Sequence, residues 1–166
     1  MSDEWVPHEL DPESDQIREV FARFGAALYS AQVLEQAVAM LLATLFGPGE
    51  DWLKQHGIDD LLDRNFRATF GQLKKQLEGK APDELLEAIG DSVQLRNRLA
   101  HHYFWDYAVE FTKTDGRNAM IAELAEIDER FQNLTTELDA LQARWRQDHG
   151  ISDEDIQKQF DKLMSS

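Results

Sequence analysis

Apolar residues recur at intervals of three and four along most of this chain, which is the period of an amphipathic α-helix. The first such segment follows Asp11 and Pro12, residue types that suit a helix N-cap and the first helical position. Its apolar positions continue to Leu45, and the run Gly47-Pro48-Gly49 then interrupts the pattern. The sequence therefore predicts one long helix that begins at Pro12.

The same period predicts three more long helices. The second covers about 59–77, and the third opens at Pro82 and runs to the pair His101-His102. The fourth begins at about Asn118 and ends at Gly150.

Two stretches are harder to interpret. Residues 104–111 are aromatic and partly alternating, which fits either an extended arm or a continuation of the third helix. Thr114-Asp115-Gly116 has the composition of a turn. The predicted fold is all-α: an acidic arm over 1–11, a four-helix bundle over 12–150 and a short C-terminal helix over 151–166.

The charge balance limits the possible partners. The 166 residues carry a formal net charge of -15, which argues against extensive nonspecific contact with nucleic acid or anionic lipid. A small local basic site remains compatible with this charge. The chain has no cysteine, which excludes disulfides and thiol chemistry, and the acidic N-terminus is unlike a secretory signal. We expect a cytoplasmic protein that does not contact the membrane.

The densest polar cluster near a predicted helix end lies between Arg96 and His102. Imidazole has an ordinary pKa of about 6.5 and can both take and give a proton near neutral pH. Arginine supplies a permanent charge for phosphate oxygens. The cluster therefore suits cleavage of a phosphodiester, and with a 2'-hydroxyl as the internal nucleophile the reaction needs no metal or other cofactor.

On a regular helix, the residues of this cluster do not all point to the same side. Arg96 and His101 lie about 140° apart around a helix axis, whereas Asn97 and His101 stack at four-residue spacing, as do Arg98 and His102. We expect Asn97 to orient His101. Arg96 can join His101 at one phosphate only if the helix distorts or if two copies of the chain meet.

The spacing of Arg96, Asn97 and His101 resembles the motif of HEPN domains, an arginine followed four to six residues later by a histidine. The longer pattern through Tyr103 is similar to HEPN toxins that pair with a nucleotidyltransferase antitoxin. The resemblance implies a dimeric helical bundle that cleaves RNA without metal, in a toxin–antitoxin or phage-defence system. It also implies Arg96 and His101 as catalytic residues, with His102 at an equally acceptable spacing, Tyr103 as a possible modification site, and a protein antitoxin or regulator as a possible partner.

Other interpretations of the same residues stay open. Arginine and histidine near a helix C-terminus also serve as cap and dipole partners, and HEPN-like domains also act as noncatalytic interaction modules. Glu35 lies on the apolar stripe of the first helix, where it either stays solvated or pairs with Arg96 or Arg98. The aromatic run 103–107 suits packing or a dimer contact, or stacking with unpaired bases. No ligand spacing predicts a metal site.

Overall fold

The computed structural model describes residues 11–46, Asn65, 67–148 and Gly150. All regular structure in these residues is helical, which confirms the all-α prediction. The predicted N-terminal arm, apart from Asp11, and the predicted C-terminal helix lie outside the described residues. The elements are α1 (Pro12–Thr44), α2 (Phe70–Leu77), α3 (Asp83–His101), α4 (Tyr103–Asp106), a 3-10 turn (Glu110–Thr112) and α5 (Thr114–Asp148).

Helix α1 begins where the sequence predicts. The Asp11 carboxylate accepts hydrogen bonds from the backbone N–H groups of Glu13 and Ser14, at 3.1 and 3.0 Å. These bonds satisfy donors that have no partner within the helix, and they hold the pKa of Asp11 below its usual value.

Helices α1 and α5 run parallel and form the most extensive packing among the described residues. At one end Gln16 Nε2 donates to Asn118 Oδ1 at 2.6 Å, and towards the other Gln142 Nε2 donates to the Ala37 carbonyl at 3.2 Å. Phe131 on α5 is fully buried in the core that these helices share.

Helix α2 covers the second part of the helix predicted over about 59–77. Thr69 caps its first turn and exchanges hydrogen bonds with Gln72, so this helix begins at Phe70. Earlier in the predicted range Asn65 and Arg67 are helical, and the break at residues 68–69 separates them from α2. Residues 59–64 lie outside the described part of the chain. Helix α3 spans Asp83–His101 with Pro82 as its N-cap residue, which agrees with the helix predicted from Pro82 to the histidine pair.

The stretch 104–111 is neither an extended arm nor a continuation of α3. It contains the end of the short helix α4, a turn and most of the 3-10 turn. The Phe104 ring packs against Phe21 and Phe24 of α1, with centroids 5.3 and 4.9 Å apart, and against Phe111 at 5.9 Å. These aromatic contacts hold the segment against α1.

The turn prediction at Thr114-Asp115-Gly116 is wrong, because α5 already begins at Thr114. Gly116 is not a turn glycine, although Thr114 and Asp115 beside it are typical turn residues. A Cβ atom at this position would overlap the backbone of Glu110 in the 3-10 turn. The glycine is therefore required by a close approach of two helical segments.

Among the described residues, α1 is the one helix with the length and composition to cross a membrane. Its most apolar window of 18 residues has a mean hydropathy of 1.3, and half of that window is buried in the protein. A core helix of a soluble protein has the same properties, so this is weak evidence for a membrane span. The absence of membrane contact and the cytoplasmic location stay predictions.

Candidate functional site

The predicted site residues lie where α3 ends. Arg96 and Asn97 occupy its penultimate turn, Arg98 begins its last turn and His101 is its last residue. His102 leaves helical geometry with φ -129° and ψ -21°, yet its N–H still bonds the Arg98 carbonyl at 2.9 Å. The chain therefore stays helical from Arg96 to His101, and the distortion comes only after the pair.

His101 and His102 are both exposed at this helix end. Their ring centroids are 6.3 Å apart and the rings are tilted by 73°. The last carbonyl groups of a helix favour a positive charge nearby. The two imidazoles thus form an accessible pair at the C-terminal end of α3.

Arg96 has two side-chain partners. Its Nη1 lies 3.2 Å from Asn97 Oδ1, and its Nη2 lies 3.5 Å from Glu35 Oε2 on α1. The Glu35 side chain is 19% exposed and that of Arg96 is 32% exposed. Of the alternatives for Glu35, pairing with Arg96 is the one that occurs.

The expected bond between Asn97 and His101 is not seen among the described residues. The Asn97 carboxamide oxygen accepts a hydrogen bond from the neighbouring Arg96. In this arrangement Asn97 positions the arginine and not the histidine.

Arg98 belongs to a structural network. Its Nη1 forms a 2.8 Å ion pair with Glu123 Oε1 of α5, and its Nε lies 3.4 Å from Asp106 Oδ2. The guanidinium also lies over the rings of Tyr103 and Tyr107, 5.5 and 5.6 Å from their centroids. These contacts occupy Arg98, so it ties α3 to α4 and α5 and is poorly placed to bind a phosphate.

Glu123 is the acidic centre of this network. Burial by itself would raise the pKa of Glu123, but the Tyr107 hydroxyl and the Arg98 guanidinium hold it below its usual value. Glu123 is not among the residues predicted from the sequence, because nothing in its local pattern distinguishes it from the solvated carboxylates of the same helix.

Tyr103 is turned into the core. Its side chain is 1% exposed, and its hydroxyl donates to the Met120 carbonyl at 3.3 Å. Burial, and next the charge of Glu123, raise the pKa of this phenol. Modification of Tyr103 stays a prediction, and it would require α4 to expose a hydroxyl that is enclosed here.

Two grooves lie away from the histidine pair. One of about 450 Å³ runs between α1 and α5 and is lined by Tyr29, Val33 and Asp128 among others. Another of about 430 Å³ lies at the start of both helices, beside the buried Arg117. Within the described residues no group of three or more His, Asp or Glu side chains is arranged to hold a metal ion.

Comparison of the chain with protein-family models, curated proteins and solved structures finds no significant match. Support for any function therefore comes from the residues at the end of α3.

Proposed function

We propose that this protein is a metal-independent endoribonuclease of the HEPN type that acts as a dimer. The observation that carries the proposal is the pair of exposed histidines at the end of α3, five and six residues beyond an arginine that Asn97 and Glu35 hold in place. Arginine and histidine are the residue types that a phosphodiester cleavage needs. A toxin–antitoxin or phage-defence system is the setting that the resemblance implies.

Helix geometry supports the dimer. Because α3 is regular from Arg96 to His101, the two side chains leave the axis about 140° apart. The alternative of a distorted helix has no support here, since the break follows at His102. Two copies related by a two-fold axis would place Arg96 of one beside His101 of the other.

The proposed reaction is internal transfer at phosphorus. The 2'-oxygen of the RNA forms a bond to phosphorus while the bond to the 5'-oxygen breaks, which leaves a 2',3'-cyclic phosphate and a 5'-hydroxyl. One imidazole takes the proton of the 2'-hydroxyl and then gives it to the leaving 5'-oxygen. Arg96 stabilises the charge that develops on the phosphorane oxygens. We assign the proton transfers to His101, with His102 as the alternative.

The test is incubation of mixed-sequence RNA with purified protein in EDTA, with fragment ends identified by mass spectrometry. We expect cyclic phosphate ends from the wild type. We expect a rate loss of about 100-fold or more in His101→Ala, because removal of a general acid or base costs on the order of 10²–10⁴. His102→Ala distinguishes the two histidines.

The matched control for Arg96→Ala is Arg23→Ala, which removes an exposed arginine paired with Glu19 within α1. We expect full activity from Arg23→Ala and a large loss from Arg96→Ala. Intact RNA with the wild type, or equal cleavage by wild type, Arg96→Ala and His101→Ala, would refute the ribonuclease function.

A second candidate is a noncatalytic dimeric module that binds a protein or nucleotide partner. The observation that favours it is the contact of Arg96 with Glu35, since a guanidinium bound to a carboxylate is less available to a phosphate. This alternative expects a folded dimer that leaves RNA intact under all conditions.

A further inference from the structure

Trp105 is the most exposed large apolar side chain among the described residues, with 82% of its surface in contact with solvent. Its neighbours on α4 behave differently, since Tyr103 is buried and Phe104 packs against α1. A single exposed apolar residue is common on protein surfaces. The position of Trp105 relative to the histidines is therefore what matters.

Trp105 follows His102 by three residues and His101 by four. The helix breaks at His102, whose N–H makes the last bond of α3, to the Arg98 carbonyl, and whose carbonyl accepts the first bond of α4, from Asp106 N–H, both at 2.9 Å. Trp105 is therefore an exposed side chain within four residues of both imidazoles, in the first turn after the end of α3.

The indole is attached to a well-anchored segment. On one side of it the Tyr103 hydroxyl bonds Met120, and on the other Asp106 pairs with Arg98. An aromatic ring on an anchored backbone loses little conformational entropy when a ligand binds.

Charge supplies little affinity for RNA at this surface. Arg98 is occupied by Glu123 and Asp106, and Arg96 is in contact with Glu35. The protein as a whole carries a net charge of -15. Because few phosphates can be neutralised, binding needs an attractive contact that does not depend on charge.

We propose that the Trp105 indole stacks on an unpaired base of the RNA substrate, next to the phosphodiester at the histidine pair. The inference rests on the ribonuclease function proposed above and specifies its substrate as single-stranded RNA. Aromatic faces stack on every base with little sequence preference. Cleavage should accordingly depend on the absence of pairing more than on sequence.

Binding is tested with a labelled 2'-O-methyl oligonucleotide, which lacks the 2'-hydroxyl and so stays intact whether or not the protein cleaves RNA. Fluorescence anisotropy gives its affinity for wild-type protein, Trp105→Ala and Trp105→Phe, as a single strand and as a duplex. We expect Trp105→Ala to weaken single-strand binding by about tenfold and Trp105→Phe to retain most of the affinity. Tyr29→Ala is the matched control, because Tyr29 is an aromatic residue 68% exposed in the groove between α1 and α5.

Single-strand affinity that is equal in the wild type and Trp105→Ala would overturn the proposal. So would an equal loss for single strand and duplex, a wild type that does not bind the single strand, or a Trp105→Ala variant whose only change is a different oligomeric state. The last result would identify the indole as a protein contact. Failure of the ribonuclease function would instead appear as intact ordinary RNA, a separate measurement.

Discussion

Arg98 and Glu123 join the end of α3 to α5 through an ion pair of 2.8 Å. The guanidinium side chain is 34% exposed and the carboxylate side chain 28%. Arg98 lies three residues before His101, the last residue of α3. Its ion pair with Glu123 therefore fixes the helix end that carries the two histidines.

Replacing Glu123 with glutamine should destabilise the protein at neutral pH by about 1 kcal/mol, since a charge-assisted contact is lost at a partly exposed position. The pKa of Glu123 is lowered in the folded protein. Its stabilising contribution is therefore complete above the usual value of 4.5 and disappears as the pH falls through the lower folded value. Urea unfolding of wild type and Glu123→Gln from pH 7 to pH 3 should show a difference that shrinks below about 4.5.

Glu137→Gln is the control for this series, because Glu137 is an exposed carboxylate of the same helix. We expect its free energy of unfolding to stay within about 0.5 kcal/mol of the wild type. A Glu123→Gln difference that grows as the pH falls would contradict the assigned direction of the shift.

Glu35→Gln should separate binding from cleavage. Loss of this carboxylate frees Arg96, so affinity for a noncleavable RNA should rise by up to about fivefold. The cleavage rate should fall, because Arg96 loses the contact that orients it. Anisotropy and single-turnover cleavage measure the two effects separately.

Glu19→Gln serves as the comparison for Glu35→Gln, since it makes the same charge change in an exposed pair within α1. An equal effect of both substitutions would mean that only net charge matters and that Glu35 has no positioning role.

Mixing two inactive variants tests whether the site is shared between copies. An Arg96→Ala chain paired with a His101→Ala chain would form one complete site and one doubly defective site. With random pairing, the mixture should recover roughly a quarter of the wild-type activity. If both residues act within one chain, the mixture should remain as inactive as either variant alone.

Gly116→Ala should strongly destabilise the protein, by at least about 2 kcal/mol, because its Cβ would overlap the Glu110 backbone. Gly25→Ala is the matched substitution in α1, where nothing lies within 4 Å of the added Cβ. It should stabilise the protein by about 0.5–1 kcal/mol, since alanine is the better helix former. Thermal unfolding followed by circular dichroism measures both, and equal effects would refute the close approach.

The elements that the sequence predicted well are those determined by contacts between residues close together in the chain. Asp11 and Pro12 start α1 through contacts within one turn, and the apolar period of α3 holds up to His101. The start of α5 was not predicted correctly, because Thr114-Asp115-Gly116 has the composition of a β-turn. The glycine is present for another reason: the backbone of Glu110 in the 3-10 turn packs too closely against it for a side chain.

Long-range contacts explain most of what the sequence left open at the site. The position of Glu35 on the stripe indicated a cationic partner, but the choice between Arg96 and Arg98 depends on how α3 is rotated against α1. The segment after Tyr103 is shaped by Phe21 and Phe24 of α1, about 80 residues earlier in the sequence. No periodicity within 104–111 encodes those contacts.

The parallel pairing of α1 and α5 has a consequence for how the chain folds. Its polar contacts join residues 98 to 105 positions apart, from Ser30 with Asp128 to Ala37 with Gln142. Loop closure of this length precedes the gain from packing, which slows folding relative to a bundle of neighbouring hairpins. During synthesis α1 emerges before α5, so the face of α1 that packs against α5 stays exposed to solvent until α5 follows.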